Sequence, residues 1–231
     1  MTTPKPPIAL TGARDATSGR WQPKESYTRA VAEAGGAPLA LQSPDEVAQA
    51  AGVLLTGGGD VAPSRYGRPP HPGLGAVEEE RDSLEIEVVS EALARGVPLL
   101  GVCRGTQVLV VACGGVLWQD VPSELPYTLD HGRGAGREGR SQRTMHRVLL
   151  RDGSLAAKAA GATELDVNSS HHQAAQMVGP RLIISGWAPD GIIEAVELAG
   201  AGFVLGVQWH PEDLLDCRQH ARVFSALVEA A

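Results

Sequence analysis

Apolar runs and amphipathic stretches take turns along this chain. Residues 7–11 are a short apolar start, and residues 22–34 are long enough for a helix that Gly35-Gly36 would close. Residues 38–41 read as a second strand. Ser43-Pro-Asp-Glu then reads as a helix N-terminus, with Ser43 as cap and Pro44 at the first position. Residues 52–56 form a short buried strand that runs into Gly57-Gly-Gly59. In residues 78–94, Leu84, Val88 and Leu93 recur among charges at helical spacing. Residues 97–102 carry no polar side chain, as expected of a strand covered on both faces, and residues 105–112 continue as an apolar helix broken by Gly114-Gly115.

The second half has a different rhythm. Residues 127–143 are rich in Gly and Arg, have no period, and read as a long surface loop. Five strand-like runs follow, at 146–150, 164–167, 181–187, 192–198 and 203–208, several spaced like antiparallel neighbours. Residues 214–230 read as a closing helix. The order βαβαβα followed by strands predicts an α/β fold, a mainly parallel central sheet with antiparallel additions. No repeat or linker interrupts it, so residues 1–231 are expected to form one domain.

Composition narrows the classes of function. With 43% hydrophobic residues the chain can bury a full core, and a formal charge of -7 argues against nucleic acid or an anionic membrane as partner. No stretch approaches the length of a membrane span, and the start, Met-Thr-Thr-Pro-Lys-Pro-Pro, lacks an apolar signal core, so a cytoplasmic address is expected. Three cysteines, Cys103, Cys113 and Cys217, read as reduced thiols. Neither Cys-x-x-Cys nor His-Glu-x-x-His occurs, so no metal site and no cofactor are expected.

The chemistry concentrates at Cys103. Gly101-Val-Cys-Arg-Gly105 has the Gly-x-nucleophile-x-Gly spacing of a nucleophile elbow, where flanking side chains would collide with strand and helix. The N–H of Arg104 would face the same space as the sulfur and donate to an oxyanion. The positive end of the following helix, with help from Arg104, would favour the thiolate. Cys113 and Cys217 sit at an expected helix end and in a charged segment and read as structural. His210 follows an apolar strand, precedes Pro211 and has Glu212 two residues on, which makes it a base with an orienting carboxylate. Gly57-Gly-Gly-Asp60 lets a backbone approach a ligand closely, and the N–H of Gly58 or Gly59 is the expected second oxyanion donor. A plain turn is the alternative there, and a cap at His-Pro-Glu the alternative for His210.

Five segments in this order resemble the gamma-glutamyl-gamma-aminobutyrate hydrolase family of the class I glutamine amidotransferase superfamily. They are Leu54-Leu-Thr-Gly-Gly-Gly-Asp-Val-Ala-Pro-Ser-Arg-Tyr-Gly67, Glu80-Arg-Asp-Ser-Leu-Glu85, Gly101-Val-Cys-Arg-Gly-Thr-Gln107, Val167-Asn-Ser-Ser-His-His-Gln173 and Gly206-Val-Gln-Trp-His-Pro-Glu212. The resemblance implies a flavodoxin-like, doubly wound sheet and hydrolysis of a small gamma-glutamyl amide through a thioester. Cys103, His210 and Glu212 would be its triad, and polyamine (putrescine) catabolism its setting. It also implies substrate contacts from Gln107, His171, His172 and Gln173, and a structural ion pair at Arg81-Asp82. Two other readings stay open: a glutaminase subunit feeding ammonia to a separate synthetase, and a ligand-binding protein on an inactive scaffold. The released amine, the role of residues 129–141 and a homodimer also stay open.

Overall fold

A computed structural model describes residues 4–132, 144–200 and 202–231. The first strand, β1 (Pro7–Leu10), is followed by a two-stranded ribbon, β2 (Ala13–Arg14) and β3 (Trp21–Gln22). The ribbon takes Gln22 out of the expected helix, so α1 runs only over Glu25–Glu33. Next come β4 (Ala37–Ala40) and a 3-10 turn at Pro44–Gln49, where Ser43 is extended but its side chain makes no capping bond. Then follow β5 (Gly52–Leu55), α2 (Glu79–Arg95), β6 (Leu99–Val102) and α3 (Arg104–Ala112).

The second half adds β7 (Val116–Trp118), α4 (Val121–Glu124), β8 (Thr144–Leu150), α5 (Leu155–Ala160), β9 (Glu164–Ser169) and β10 (Ala174–Met177). It ends with β11 (Leu182–Trp187), β12 (Ile193–Leu198), β13 (Val204–Val207) and α6 (Arg218–Ala230). The closing helix starts later than expected because Pro211–Asp213 forms a 3-10 turn and Cys217 becomes the residue before the helix. Of the loop expected at 127–143, residues 133–143 lie outside the described residues.

Nine strands make one sheet in the order β4-β1-β5-β6-β13-β12-β11-β8-β9. From β4 to β13 every pair is parallel, and from β13 to β9 every pair is antiparallel. The antiparallel part therefore equals the parallel part in extent, which makes the sheet more evenly mixed than the strand spacing suggested. Strands β5, β6 and β13 are buried at every residue, as sheet centres covered on both faces must be. One apolar layer joins Tyr27 and Val31 of α1, Ala156 and Ala160 of α5, and Phe224 of α6 to one face. The other joins Val88 of α2 and Val108 of α3 to the opposite face. Helices on both faces give the doubly wound α/β arrangement. Among the described residues no helix is long and apolar enough to cross a membrane.

The candidate active site

The sheet's central parallel pair sets the geometry. Strands β6 and β13 pair with Val102 opposite Val207, and the Cys103 N–H continues the ladder by donating to the Val207 carbonyl at 2.8 Å. The backbone then turns sharply. Cys103 has φ 53° and ψ -108°, a conformation that L side chains rarely hold and that costs about 1–3 kcal/mol. Immediately after it α3 begins. The two flanking glycines are sterically required: a Cβ on Gly101 would lie 2.7 Å from the Gly105 carbonyl oxygen, and one on Gly105 would lie 2.2 Å from that of Leu55. Cys103 thus stands at the N-terminal end of a nine-residue helix whose first N–H groups have no partner within it.

His210 and Glu212 occupy the turn after β13. The His210 N–H donates to Asn168 Oδ1 at 3.0 Å, and its ring Nδ1 is 2.7 Å from Glu212 Oε1, which leaves Nε2 for the sulfur side. Both side chains are buried. Burial alone would depress the imidazole pKa. The adjacent Cys103 sulfur and the Glu212 carboxylate outweigh it and lift the pKa to about 10. Gly57 marks where the groups converge, since a Cβ there would be 3.2 Å from His210 Cε1 and 3.7 Å from Cys103 Cβ.

The glycine loop after β5 is held from two sides. The Gly57 N–H donates to the Tyr27 hydroxyl at 2.9 Å. The Gly57 carbonyl accepts from Arg81 Nη2 at 3.0 Å, and the trans peptide therefore aims the Gly58 N–H away from Arg81. Gly59 lies against Ala76: a Cβ there would meet the Ala76 carbonyl oxygen at 2.4 Å.

Arg104 does not turn its charge to the sulfur. Its buried guanidinium pairs with Asp82 and Glu85, while Arg81 pairs with Glu85 at 2.8 Å. The ion pair expected between Arg81 and Asp82 is thus replaced by a crossed network, because residues four apart share a helix face and adjacent ones do not. Asp82 Oδ2 also accepts from the Ala62 N–H at 2.9 Å.

The residues expected to touch substrate lie inside a polar interior. Gln107 Nε2 donates to the Gln173 carbonyl at 3.0 Å and to Gln208 Oε1 at 3.3 Å, and Gln173 Oε1 accepts from the Val61 N–H at 3.0 Å. His172 is clamped between Asp60 Oδ1 at 2.9 Å and Asp120 Oδ1 at 3.2 Å; the bond to Asp60 leads in raising its pKa, against the effect of burial. His171 is buried with Nδ1 donating to the Gln173 carbonyl at 2.9 Å and Nε2 turned toward Glu194. Of the other thiols, Cys113 is buried at the end of α3, where burial raises its pKa, and Cys217 is exposed.

Three features escaped the sequence reading. Tyr27 lies inside the expected helix at 22–34 and Asn168 inside the segment 167–173, and neither is singled out by its local pattern. No metal site was expected, yet His131, His146, His171 and Glu194 come together with ligand atoms within 4.8 Å of one another. Four distant segments supply them, so no short spacing betrays the group.

Known proteins share this arrangement to different depths. A candidate glutamine amidotransferase of Mycobacterium tuberculosis is 40% identical over 213 residues, 89% of this chain and 66% of that protein's length. The gamma-glutamyl-gamma-aminobutyrate hydrolase PuuD of Escherichia coli is 35% identical over 202 residues, 82% of this chain and 78% of the relative. Among solved structures, the glutaminase domain of Trypanosoma brucei CTPS superposes with TM-score 0.65 at 17% identity, covering 97% of this chain and 94% of that one. A glutamine amidotransferase of Methylobacillus flagellatus superposes with TM-score 0.63 at 15% identity, covering 98% and 94%. These two likenesses establish the fold. The family model for peptidase C26 matches residues 8–212. The chain therefore belongs to the peptidase C26 family, a hydrolase group on the class I glutamine amidotransferase-like fold.

Proposed function

We propose that the protein hydrolyses the amide bond of a small gamma-glutamyl amine, such as gamma-glutamyl-gamma-aminobutyrate, releasing glutamate and the free amine. The observation that carries this reading is the convergence of Cys103 at its elbow with the His210–Glu212 pair over Gly57. The likeness to the Escherichia coli gamma-glutamyl-gamma-aminobutyrate hydrolase supports the substrate class.

The Cys103 sulfur attacks the gamma-carbonyl carbon as the thiolate, forming a C–S bond. The N–H of Arg104 and that of Gly58 or Gly59 donate to the resulting oxyanion; a single such donor is worth about 10²–10³ in turnover. His210, held as imidazolium by the thiolate and Glu212, passes its Nε2 proton to the departing amine as the C–N bond breaks. Neutral His210 then takes a proton from water, which attacks the thioester and releases glutamate. The sequence of steps needs no cofactor.

A second reading, a glutaminase delivering ammonia to a partner, uses the same groups. The mycobacterial relative favours it. One experiment separates the two. Released glutamate is measured across a panel of gamma-glutamyl amines and free glutamine, with Cys103→Ala as control. Turnover of the amines above that of glutamine, abolished in Cys103→Ala with the fold intact, is the expected result. No release from any amide, or full activity in the variant, would overturn the proposal.

A further inference from the structure

Away from the sulfur, on the antiparallel side of the sheet, Glu194 Oε1 lies 3.5 Å from each of His131 Nδ1, His146 Nε2 and His171 Nε2. All four side chains are at most 5% exposed, and none of these three nitrogens or the two Glu194 oxygens has a hydrogen-bond partner among the described residues.

The far nitrogens decide what the near ones are. His131 Nε2 meets Asp190 Oδ2 at 2.8 Å, His146 Nδ1 meets the Arg147 carbonyl at 3.1 Å, and His171 Nδ1 meets the Gln173 carbonyl at 2.9 Å. A carbonyl or carboxylate oxygen only accepts, so each far nitrogen carries the hydrogen. Each neutral ring then turns a lone pair inward, onto a carboxylate that is also only an acceptor. Four acceptors converging in a buried space need positive charge between them, either a metal ion or an added proton on one ring.

The spacing fits zinc. The three edges from Glu194 Oε1, at 3.5 Å, are close to the roughly 3.4 Å edge of a tetrahedron with zinc bonds of about 2.1 Å, and all four ligand atoms lie within 4.8 Å of one another. Outer acceptors on all three imidazoles are the usual support of metal-bound histidine. The charges also close: a divalent ion is balanced by Glu194 and by Asp190 behind His131.

We propose that His131, His146, His171 and Glu194 bind a zinc ion as a closed structural site. Four protein ligands and full burial leave no position for a substrate. The ion ties together four parts of the antiparallel half: the segment after α4, strand β8, the β9–β10 connection and strand β12. It lies next to the His210 side of the sheet, since the Glu194 carbonyl accepts from the Gln208 N–H at 2.8 Å.

The test is elemental analysis of untagged protein after zinc exposure and gel filtration, in the Cys103→Ala background so that the thiolate cannot bind the metal. About one zinc per chain is expected. Glu194→Gln and His146→Ala should each weaken zinc binding at least tenfold in a chelator competition. Cobalt in place of zinc should give the intense visible absorption of a tetrahedral site. Folded Cys103→Ala protein that holds no metal would overturn the proposal, whatever the variants do. So would zinc retained at full stoichiometry by the Glu194→Gln, His146→Ala double variant. Full occupancy by iron, manganese or nickel in preference to zinc would overturn the zinc assignment.

Discussion

The hydroxyl of Tyr27, on α1, accepts a hydrogen bond from the N–H of Gly57 at 2.9 Å, so a helix on one face of the sheet fixes the loop that borders Cys103. Burial, and then the nearby Glu212 and Cys103, push the phenol pKa well above its ordinary value and keep the hydroxyl protonated. Tyr27→Phe leaves a buried N–H without a partner, which costs about 1–3 kcal/mol. It also frees the loop that presents Gly58 and Gly59. Lower stability in denaturant titration and a fall in turnover on the order of tenfold are expected, since small misplacements at a reacting centre are costly. Unchanged values of both would show that the contact positions nothing.

The crossed network of Arg81, Arg104, Asp82 and Glu85 makes a second prediction. Glu85 is fully buried and shared by both guanidinium groups. Glu85→Ala removes the buried carboxylate that Arg81 and Arg104 share and leaves Asp82 as the buried counter-charge of Arg104, a break in a buried pair that typically costs about 3–5 kcal/mol. For a chain of this length the thermal midpoint should fall by about 6–20 °C. Glu91→Ala, which removes an exposed ion pair with Arg95, serves as control and should fall within about 0.5 kcal/mol of wild type.

The third prediction concerns pH. His210 titrates at about 10, raised above the ordinary 6.5. A raised folded pKa stabilises the fold fully below the unfolded value, and that contribution is lost as pH climbs through about 10. If the imidazolium is the acid that protonates the leaving amine, kcat/KM should hold through neutrality and fall on the alkaline side. Glu212→Gln removes a carboxylate that favours the charged ring, so the alkaline limb should move to lower pH. A limb that stays in place would exclude Glu212 as the partner that tunes His210.

How much of this was legible in the sequence follows from what each feature depends on. The buried strands and the Cys103 elbow are local: an unbroken apolar run, or glycines at fixed offsets, encodes them directly. His210 and Glu212 are also neighbours in the chain and could be read as a pair. The β7–β10 pairing was not legible, because Val116–Trp118 is only three residues long and follows a glycine break. The partner of Arg104 was invisible because helix phase decides which of Asp82 and Glu85 each cation meets. The histidine cluster was invisible for a stronger reason: its members are 15 to 63 positions from one another or from Glu194 and meet only through sheet register.

The pairing of Val102 with Val207 has a consequence for how such a protein can diversify. Cys103 continues that ladder and His210 follows its end by three residues, so the spacing of sulfur and imidazole is inherited from the central pair of strands. Strands β9 and β12 reach the pair through Asn168 on the His210 N–H and the Glu194 carbonyl on the Gln208 N–H, so variation in the antiparallel half must spare those two contacts if the reacting pair is to stay in alignment.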